Sequence, residues 1–292
     1  MEIPILRSLL FVPGNKASML EKAMSFQPDV FVPDMEDSVA DAQKADAREV
    51  IAAHLAQLHA TGRLVIPRVN ALDTGLTEDD LDAVIGPHVH GISIGKINTA
   101  EDLRYVDDLL SGLEQARSLR RGSLKLIPWI ETALSIVHCY DICCASPRLI
   151  GAAFGAEDFT NDMQIPRSQD DHEVTYARNV LCTAARAARI PALDTPFFAF
   201  KDQQALVANA LASKHCGFKG KFAIHPAQIE HINAAFAPSA EEVEQAQRIV
   251  AAFEAAERAG RGSTSLDGLV IDVPVVKRAR ALLAMAGSRT QQ

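Results

Sequence analysis

The chain has 292 residues, with 48% apolar and 23% charged side chains and a formal charge of −8. That apolar content excludes intrinsic disorder, and at this length a core forms without disulfide or metal staples. The acidic balance argues against nucleic acid and anionic membrane surfaces as partners, and no apolar run approaches the roughly 20 residues that span a bilayer.

The N-terminal string MEIPILRSLLFVPG lacks a basic lead, a long apolar segment and a small-residue cleavage site, so no leader is expected there. The cysteines Cys139, Cys143, Cys144, Cys182 and Cys216 are five, an odd number in a chain too large to need bridges. They read as buried free thiols, with no His/Cys pair at zinc-finger spacing beside them, and the expected compartment is cytoplasmic.

In chain order, short β-branched or apolar runs occur at 8–12, 30–32, 64–68, 91–94, 125–130, 149–154, 192–198 and 221–224. Segments with helical spacing lie between them, at 16–25, 44–60, 101–113, 133–144, 173–188 and 202–214. Strand–helix alternation implies parallel strands with right-handed crossovers. Eight such units predict an α/β fold, a closed (β/α)8 TIM barrel. An open doubly wound sheet would favour a glycine-rich turn after the first strand, where FVPGNK supplies only Gly14.

Beyond the eighth strand the pattern changes. A long helix is expected over 240–259, capped by Ser239, with Glu241 and Glu242 in its first turn and Gly260 and Gly262 ending it. A short strand or arm over 263–276 and a helix over 277–286 follow. The expected organisation is a barrel over 1–236 and a C-terminal helical and arm extension over 237–292.

In such a barrel the working residues sit at the C-terminal ends of strands. Those positions hold Lys16 after strand 1; Asp34, Glu36 and Asp37 after strand 2; Arg68 and Asn70; Lys96; Glu131; Glu157 and Asp158; and His225 before Pro226. Glu131 and Asp158 follow almost wholly apolar runs, where an unpaired carboxylate is costly. Two hard oxygen ligands on adjacent strands suit Mg2+; the alternative is a pair of N-caps or salt-bridged acids. Arg68 either clamps a substrate carboxylate or pairs with Glu36 or Asp37. His225 reads as a rigid turn rather than a base, and the other histidines as surface or helix residues.

The strings FVPGNK, PDMEDSVADAQKADAR, PRVN, IPWIETA, FGAEDF, YAR, GFKGKFAIHPAQI, FAPSAEEVEQA and VIDVPVVKRA occur in this order. In this the chain resembles the citrate lyase β-subunit-like (CitE-like) family of the HpcH/HpaI aldolase group, from about Arg7 to Leu283. Over 127–279 it looks most like the citramalyl-CoA and malyl-CoA lyase types. The resemblance implies a TIM barrel, usually a homotrimer, that uses Mg2+ (Mn2+ as the alternative ion) to cleave or form a C–C bond in a CoA thioester, with acetyl-CoA and a small 2-oxo acid as the products of cleavage. It places the metal on Glu131 and Asp158, the substrate carboxylate on Arg68, and Glu36 and Asp37 beside both. It makes Asp272 of the I-D-x-P motif an acid–base group reaching a neighbouring subunit's site. Lys96 is assigned to substrate binding, and Arg7 and Lys16, near the first strand, either bind substrate by facing CoA phosphates or are simply solvated. Relatives often read Leu-Pro-Lys after strand 4, where this chain has Ile94-Gly95-Lys96. Alternatives are citryl-CoA cleavage inside a citrate lyase complex, which would require an acyl-carrier partner, a malyl-CoA thioesterase, and a non-catalytic small-molecule-binding barrel.

Overall fold

A computed structural model describes residues 4–168 and 170–287, and the chain divides into two compact units, Met1–Asn233 and Ala234–Gln292. In the first unit the strands are β1 (Ser8–Pro13), β2 (Val30–Asp34), β3 (Leu64–Val65, resuming as Arg68–Val69), β4 (Gly91–Ile94), β5 (Lys125–Ile130), β6 (Ala152–Phe154), β7 (Ala192–Asp194) and β8 (Gly220–Ala223). Every pairing among them is parallel, and β1 closes the ring by pairing with β2 (Leu9↔Val30) and β8 (Ser8↔Lys221). The fold is therefore the predicted (β/α)8 barrel.

Helices α1 (Ala17–Ala23), α2 (Lys44–Ala60), α3 (Thr77–Val84), α4 (Ala100–Ala116), α5 (Ala133–Val137), α6 (Cys139–Cys143), α7 (Ala156–Asp162), α8 (Thr175–Ala187) and α9 (Gln203–Cys216) alternate with the strands. Helix α10 (Ile229–Phe236) runs across the division between the units. Three predicted strands are shorter than expected: the one over 149–154 begins only at Ala152, and the other two are cut short at prolines. The strand over 64–68 is interrupted at Ile66-Pro67, and the strand over 192–198 stops at Asp194, just before Thr195-Pro196. In both places proline has no N–H to give to the ladder.

Side chains alternate in and out of the barrel with a period of two. The interior set includes Leu9, Val30, Val32, Ile66, Ile127, Trp129, Ala153, Leu193 and Phe222. Phe11, Trp129 and Phe222 stack at its top, with ring centroids 4.4–5.7 Å apart, and Trp129 Nε1 donates to Ser93 Oγ at 2.8 Å. Burying each such large apolar side chain contributes about 1.5–3 kcal/mol, so this layer is a firm floor. One step further along the same register the inward positions are Asp34, Arg68, Gly95, Glu131, Gly155 and Thr195. Alternation thus carries ionisable groups and two glycines to the barrel's C-terminal mouth.

In the second unit α11 (Ala240–Arg258) starts at the predicted cap: Ser239 Oγ accepts the Glu242 N–H at 3.1 Å, and Glu242 accepts the Ser239 N–H at 2.8 Å. A hairpin follows, β9 (Thr264–Leu266) and β10 (Leu269–Ile271), turned by Asp267 and Gly268 with φ of 52° and 79°. Two left-handed residues are what a tight type I′ turn demands. Helix α12 (Val273–Gly287) begins four residues before the expected start at 277. Asp272 accepts the Val275 N–H at 3.2 Å as its cap, and Pro274 is tolerated in a first turn. Phe253, Ile271 and Val276 form this unit's own small core.

All five cysteines are free. Only Cys139 and Cys143 are buried as expected; Cys144 is exposed just past the end of α6, and Cys182 and Cys216 are half-buried. No helix among the described residues is long and apolar enough to cross a membrane.

Candidate active site

The mouth is organised around Arg68. Its Nε and Nη2 donate to Oδ1 and Oδ2 of Asp34, both at 2.7 Å, while Nη1 lies 2.9 Å from Asp37 Oδ2 and 3.1 Å from Glu36 Oε2. The guanidinium carbon sits 4.5 Å from the Phe11 ring centroid, so the aromatic floor supports it from below. Asp34 and Arg68 are register partners on adjacent strands, which fixes this pairing. Burial pushes the Asp34 carboxyl up, but Arg68 outweighs it and the net shift is downward. Asp34 also accepts the N–H groups of Glu36 (3.0 Å) and Ser38 (3.1 Å), folding the loop after β2 back over the mouth.

The open question about Arg68 therefore has a composite answer. It pairs with Glu36 and Asp37, but its fork is filled by Asp34. Asp37 is 54% exposed, so its contact with Nη1 is the one that solvent or a ligand reaches.

Glu131 directly follows β5 and is 3% exposed. Its N–H is held by Ser135 Oγ at 3.1 Å, within the capping box that Thr132 and Ser135 form at the start of α5. Its Oε1 accepts the backbone N–H of Lys96 at 2.7 Å. Lys96 has a φ of 53°, a left-handed conformation worth about 1 kcal/mol of strain. Burial, then the negative charges of Asp158 and Glu36, push the Glu131 carboxyl up to about 8. Asp158, in the first turn of α7, is likewise raised, by burial and then by Asp37. Glu36 is raised by burial and by Asp37 and Asp34, against the opposing pull of Arg68 and Lys96. Lys96 Nζ is 3.3 Å from Glu36 Oε1.

Two glycines give these carboxylates room. A Cβ on Gly155 would lie 2.1 Å from Glu131 Oε2, and one on Gly95 would lie 2.9 Å from Oε1 of both Glu131 and Glu36. The departure at Gly95 is thus a point of close approach between two acids.

This donor set fits a small hard cation. Buried or half-buried carboxylates that raise one another's proton affinity are what a divalent ion relieves, and Mg2+ takes one or two carboxylates while keeping its waters. Glu131 and Asp158 would supply those two ligands. Among the described residues no three His, Cys, Asp or Glu side chains converge as a full protein cage.

Six other positions are singled out in the sequence; of these Asn70 is buried and donates through Nδ2 to Asp80 Oδ2 at 2.6 Å, and Glu157 pairs with Arg167 at 2.9 Å. Lys16 is exposed on the mouth rim, just after β1 and ahead of α1. Arg7 does not join the site. It precedes β1, at the barrel's opposite end, and donates to Asp29 through Nε (2.8 Å) and Nη2 (2.7 Å). Its expected role toward CoA phosphates is corrected to a structural ion pair. His225 forms the anticipated turn, its Nδ1 accepting the Ala227 N–H at 3.2 Å. Asp272 belongs to the second unit, where it caps α12.

Sequence reasoning missed Lys44. It is buried, and its Nζ donates to the carbonyls of Met35 (3.0 Å) and Glu36 (2.9 Å), pinning the loop that carries Glu36 and Asp37. The signal was a lysine inside the motif after strand 2, indistinguishable in sequence from a solvated helix residue.

A closed barrel with a buried arginine, five acids and two clearance glycines at its C-terminal mouth defines a TIM-barrel enzyme whose site handles acidic, oxygen-rich ligands. The HpcH/HpaI aldolase/citrate lyase family matches residues 7–226, and the chain belongs to that family. It is 38% identical over 282 residues to the citrate lyase subunit beta of Haemophilus influenzae, covering 97% of each chain. It is 36% identical over 281 residues to a (3S)-malyl-CoA thioesterase of Cereibacter sphaeroides, covering 96% of this chain and 94% of that one. With the mitochondrial citramalyl-CoA lyase of Mus musculus it shares 30% identity over 292 residues, 97% and 86% of the two chains. Among solved structures, CitE from Mycobacterium tuberculosis in complex with magnesium, acetoacetate and coenzyme A matches at a TM-score of 0.77 and 26% identity, covering 96% of this chain and 98% of that one.

Proposed function

We propose that the chain is a Mg2+-dependent carbon–carbon lyase that reversibly cleaves a 3-hydroxyacyl-CoA such as citramalyl-CoA or malyl-CoA into acetyl-CoA and a 2-oxo acid. The observation that carries this reading is Glu131, a buried carboxylate raised by Asp158 and Glu36 and given clearance by Gly95 and Gly155. The magnesium complex of the M. tuberculosis relative and the thioester-named relatives support it.

Glu131 and Asp158 would hold Mg2+, which when bound would supply Lewis-acid chemistry to an oxygen-rich acid. The protein's own residues do the rest. Arg68 gives the substrate carboxylate the Nη1 face that now meets exposed Asp37, while Asp34 keeps the fork and the ring of Phe11 fixes its plane. Lys96 Nζ balances Glu36 beside that carboxylate. As the bond to the hydroxyl-bearing carbon breaks, that carbon becomes a carbonyl, the hydroxyl proton passes to solvent, and the acetyl-CoA fragment takes a proton at its new methyl carbon. Asp272 from a neighbouring copy of a homotrimer is the proposed donor of that proton. Lys16, exposed just after β1, is the proposed contact for the CoA phosphates.

The test is to assay the protein against malyl-, citramalyl- and citryl-CoA with Mg2+ and identify the products. Acetyl-CoA with glyoxylate or pyruvate, lost on chelation, is the expected result. Free CoA with malate would make it a thioesterase, and turnover only on a carrier-bound citryl group would make it a citrate lyase subunit. For the shared site, inactive Arg68→Ala and Asp272→Ala proteins are mixed and reassembled. Activity returns if each site draws on two chains, and failure to recover any overturns that part.

A further inference from the structure

At the end of the barrel opposite Glu131 lies a cavity of ≈ 520 Å³. Its lining residues precede or open the strands: Leu64 begins β3, Val89 and His90 come just before β4, Lys125 begins β5, and Ile150 comes just before β6. Lys125 and Glu131 bracket the whole of β5, which separates cavity and mouth by roughly 20 Å.

The chemistry of the cavity is one-sided. Leu64, Val89, Leu119, Leu124 and Ile150 make an apolar wall, Arg120, Lys125 and His90 supply the positive and donor groups, and among the described residues no Asp or Glu lines it. Among the described residues neither Arg120 nor Lys125 makes an ion pair. Lys125 Nζ donates only to the Gly122 carbonyl, at 2.7 Å. The acid acting on Lys125 is Glu114, already occupied by Arg148 Nη1 (2.7 Å) and Nη2 (2.9 Å) and by the N–H groups of Gly122 and Leu124. His90 Nδ1 accepts the Val65 N–H at 3.0 Å, which makes Nε2 the protonated, donating nitrogen of the neutral ring. In a chain of net charge −8 this is a local positive excess around an apolar hollow.

We infer that this cavity is a second ligand site, for an aliphatic monocarboxylate. The chain packs along the apolar wall, and the carboxylate meets Lys125 and Arg120. A volume in this range suits a small amphipathic ligand, with roughly six to ten carbons matching the wall. The two cations call for an anion and the wall calls for an apolar body, so neither an alcohol nor inorganic phosphate meets both demands. The inference is independent of the reading of the mouth.

The experiment is calorimetric titration of the full-length protein with octanoate, beside octanol and inorganic phosphate. Gly86 lines the cavity, and a Cβ there meets nothing within 4 Å, so Gly86→Phe adds a bulky ring at the cavity's edge without backbone strain. The expected result is saturable binding of one octanoate per chain, weakened by about tenfold or more in Lys125→Gln and abolished in Gly86→Phe. Octanol should bind at least about tenfold more weakly and phosphate not at all. Turnover at the mouth should be unchanged in both variants, which also reports that they fold. Arg120→Gln, at an exposed loop position, should weaken octanoate as well and serves if Gly86→Phe misfolds. No saturable octanoate binding, unchanged affinity in the Lys125 and Arg120 variants, or octanol binding as tightly as octanoate would overturn the inference.

Discussion

Arg68 and Asp34 meet end-on across adjacent strands, with Nε and Nη2 each 2.7 Å from a separate carboxylate oxygen. This pair aims the rest of the guanidinium at the mouth and holds the loop carrying Glu36. Asp34→Asn preserves shape but loses the charge and one acceptor, so kcat/KM should fall by about a hundredfold with the fold intact. Asp34→Ala leaves Nε and Nη2 of buried Arg68 without their acceptor and should cost about 3–5 kcal/mol of stability. Steady-state kinetics and urea unfolding measure the two; a fully active Asp34→Asn protein would remove Asp34 from the site.

Glu131→Gln and Asp158→Asn should each abolish Mg2+-dependent turnover and weaken Mg2+ binding. Neither should unfold the metal-free protein, because each removes a carboxyl that its acidic neighbours already oppose. Calorimetric Mg2+ titration and thermal melts provide the readouts. Retention of turnover by either variant after exhaustive chelation would defeat the metal assignment.

Gly155→Ala puts a methyl 2.1 Å from Glu131 Oε2, and that buried carboxylate has little freedom to retreat. Turnover should drop by about a hundredfold or more, since small displacements at a reacting centre are costly. Gly112→Ala, in the exposed face of α4 with nothing within 4 Å, is the control. It should stabilise the fold by about 0.5–1 kcal/mol and leave kinetics alone.

Acid sensitivity should trace in part to Glu114. Burial raises its carboxyl, but the two hydrogen bonds from Arg148 and the N–H groups of Leu124 and Gly122 bring it down to about 2. A folded pKa below the unfolded one means stability that is present above about pH 4.5 and lost as pH falls toward 2. Glu114→Gln should therefore be less stable than the parent at pH 7, with the gap closing near pH 2. Melting temperatures across that range decide it, and a gap independent of pH would contradict the assignment.

Much of the fold was legible in the residues because it rests on local rules. Strand–helix alternation implied parallel closure, and apolar runs ending in charge implied that Arg68, Glu131 and Asp158 stand at one end of the barrel. Arg7 could have been excluded by the same rule, since a residue ahead of a strand lies at the opposite end. The start of α12 was likewise written in Asp272 and Pro274, whose capping geometry outweighs the arm-like look of that stretch.

What the amino-acid order determined by itself, then, is which groups reach the mouth: periods of two and of 3.6 depend only on neighbours along the chain. Which of them touch was decided in three dimensions. Asp34, Glu36 and Asp37 are near-equivalent acids in sequence, and only the Asp34↔Arg68 register gives Asp34 the fork. Gly95 and Gly155 became clearances only when neighbouring strands brought the Glu131 carboxylate within 3 Å of where each Cβ would stand. Contacts of that kind depend on ångström distances between segments tens of residues apart, and local patterning does not specify them.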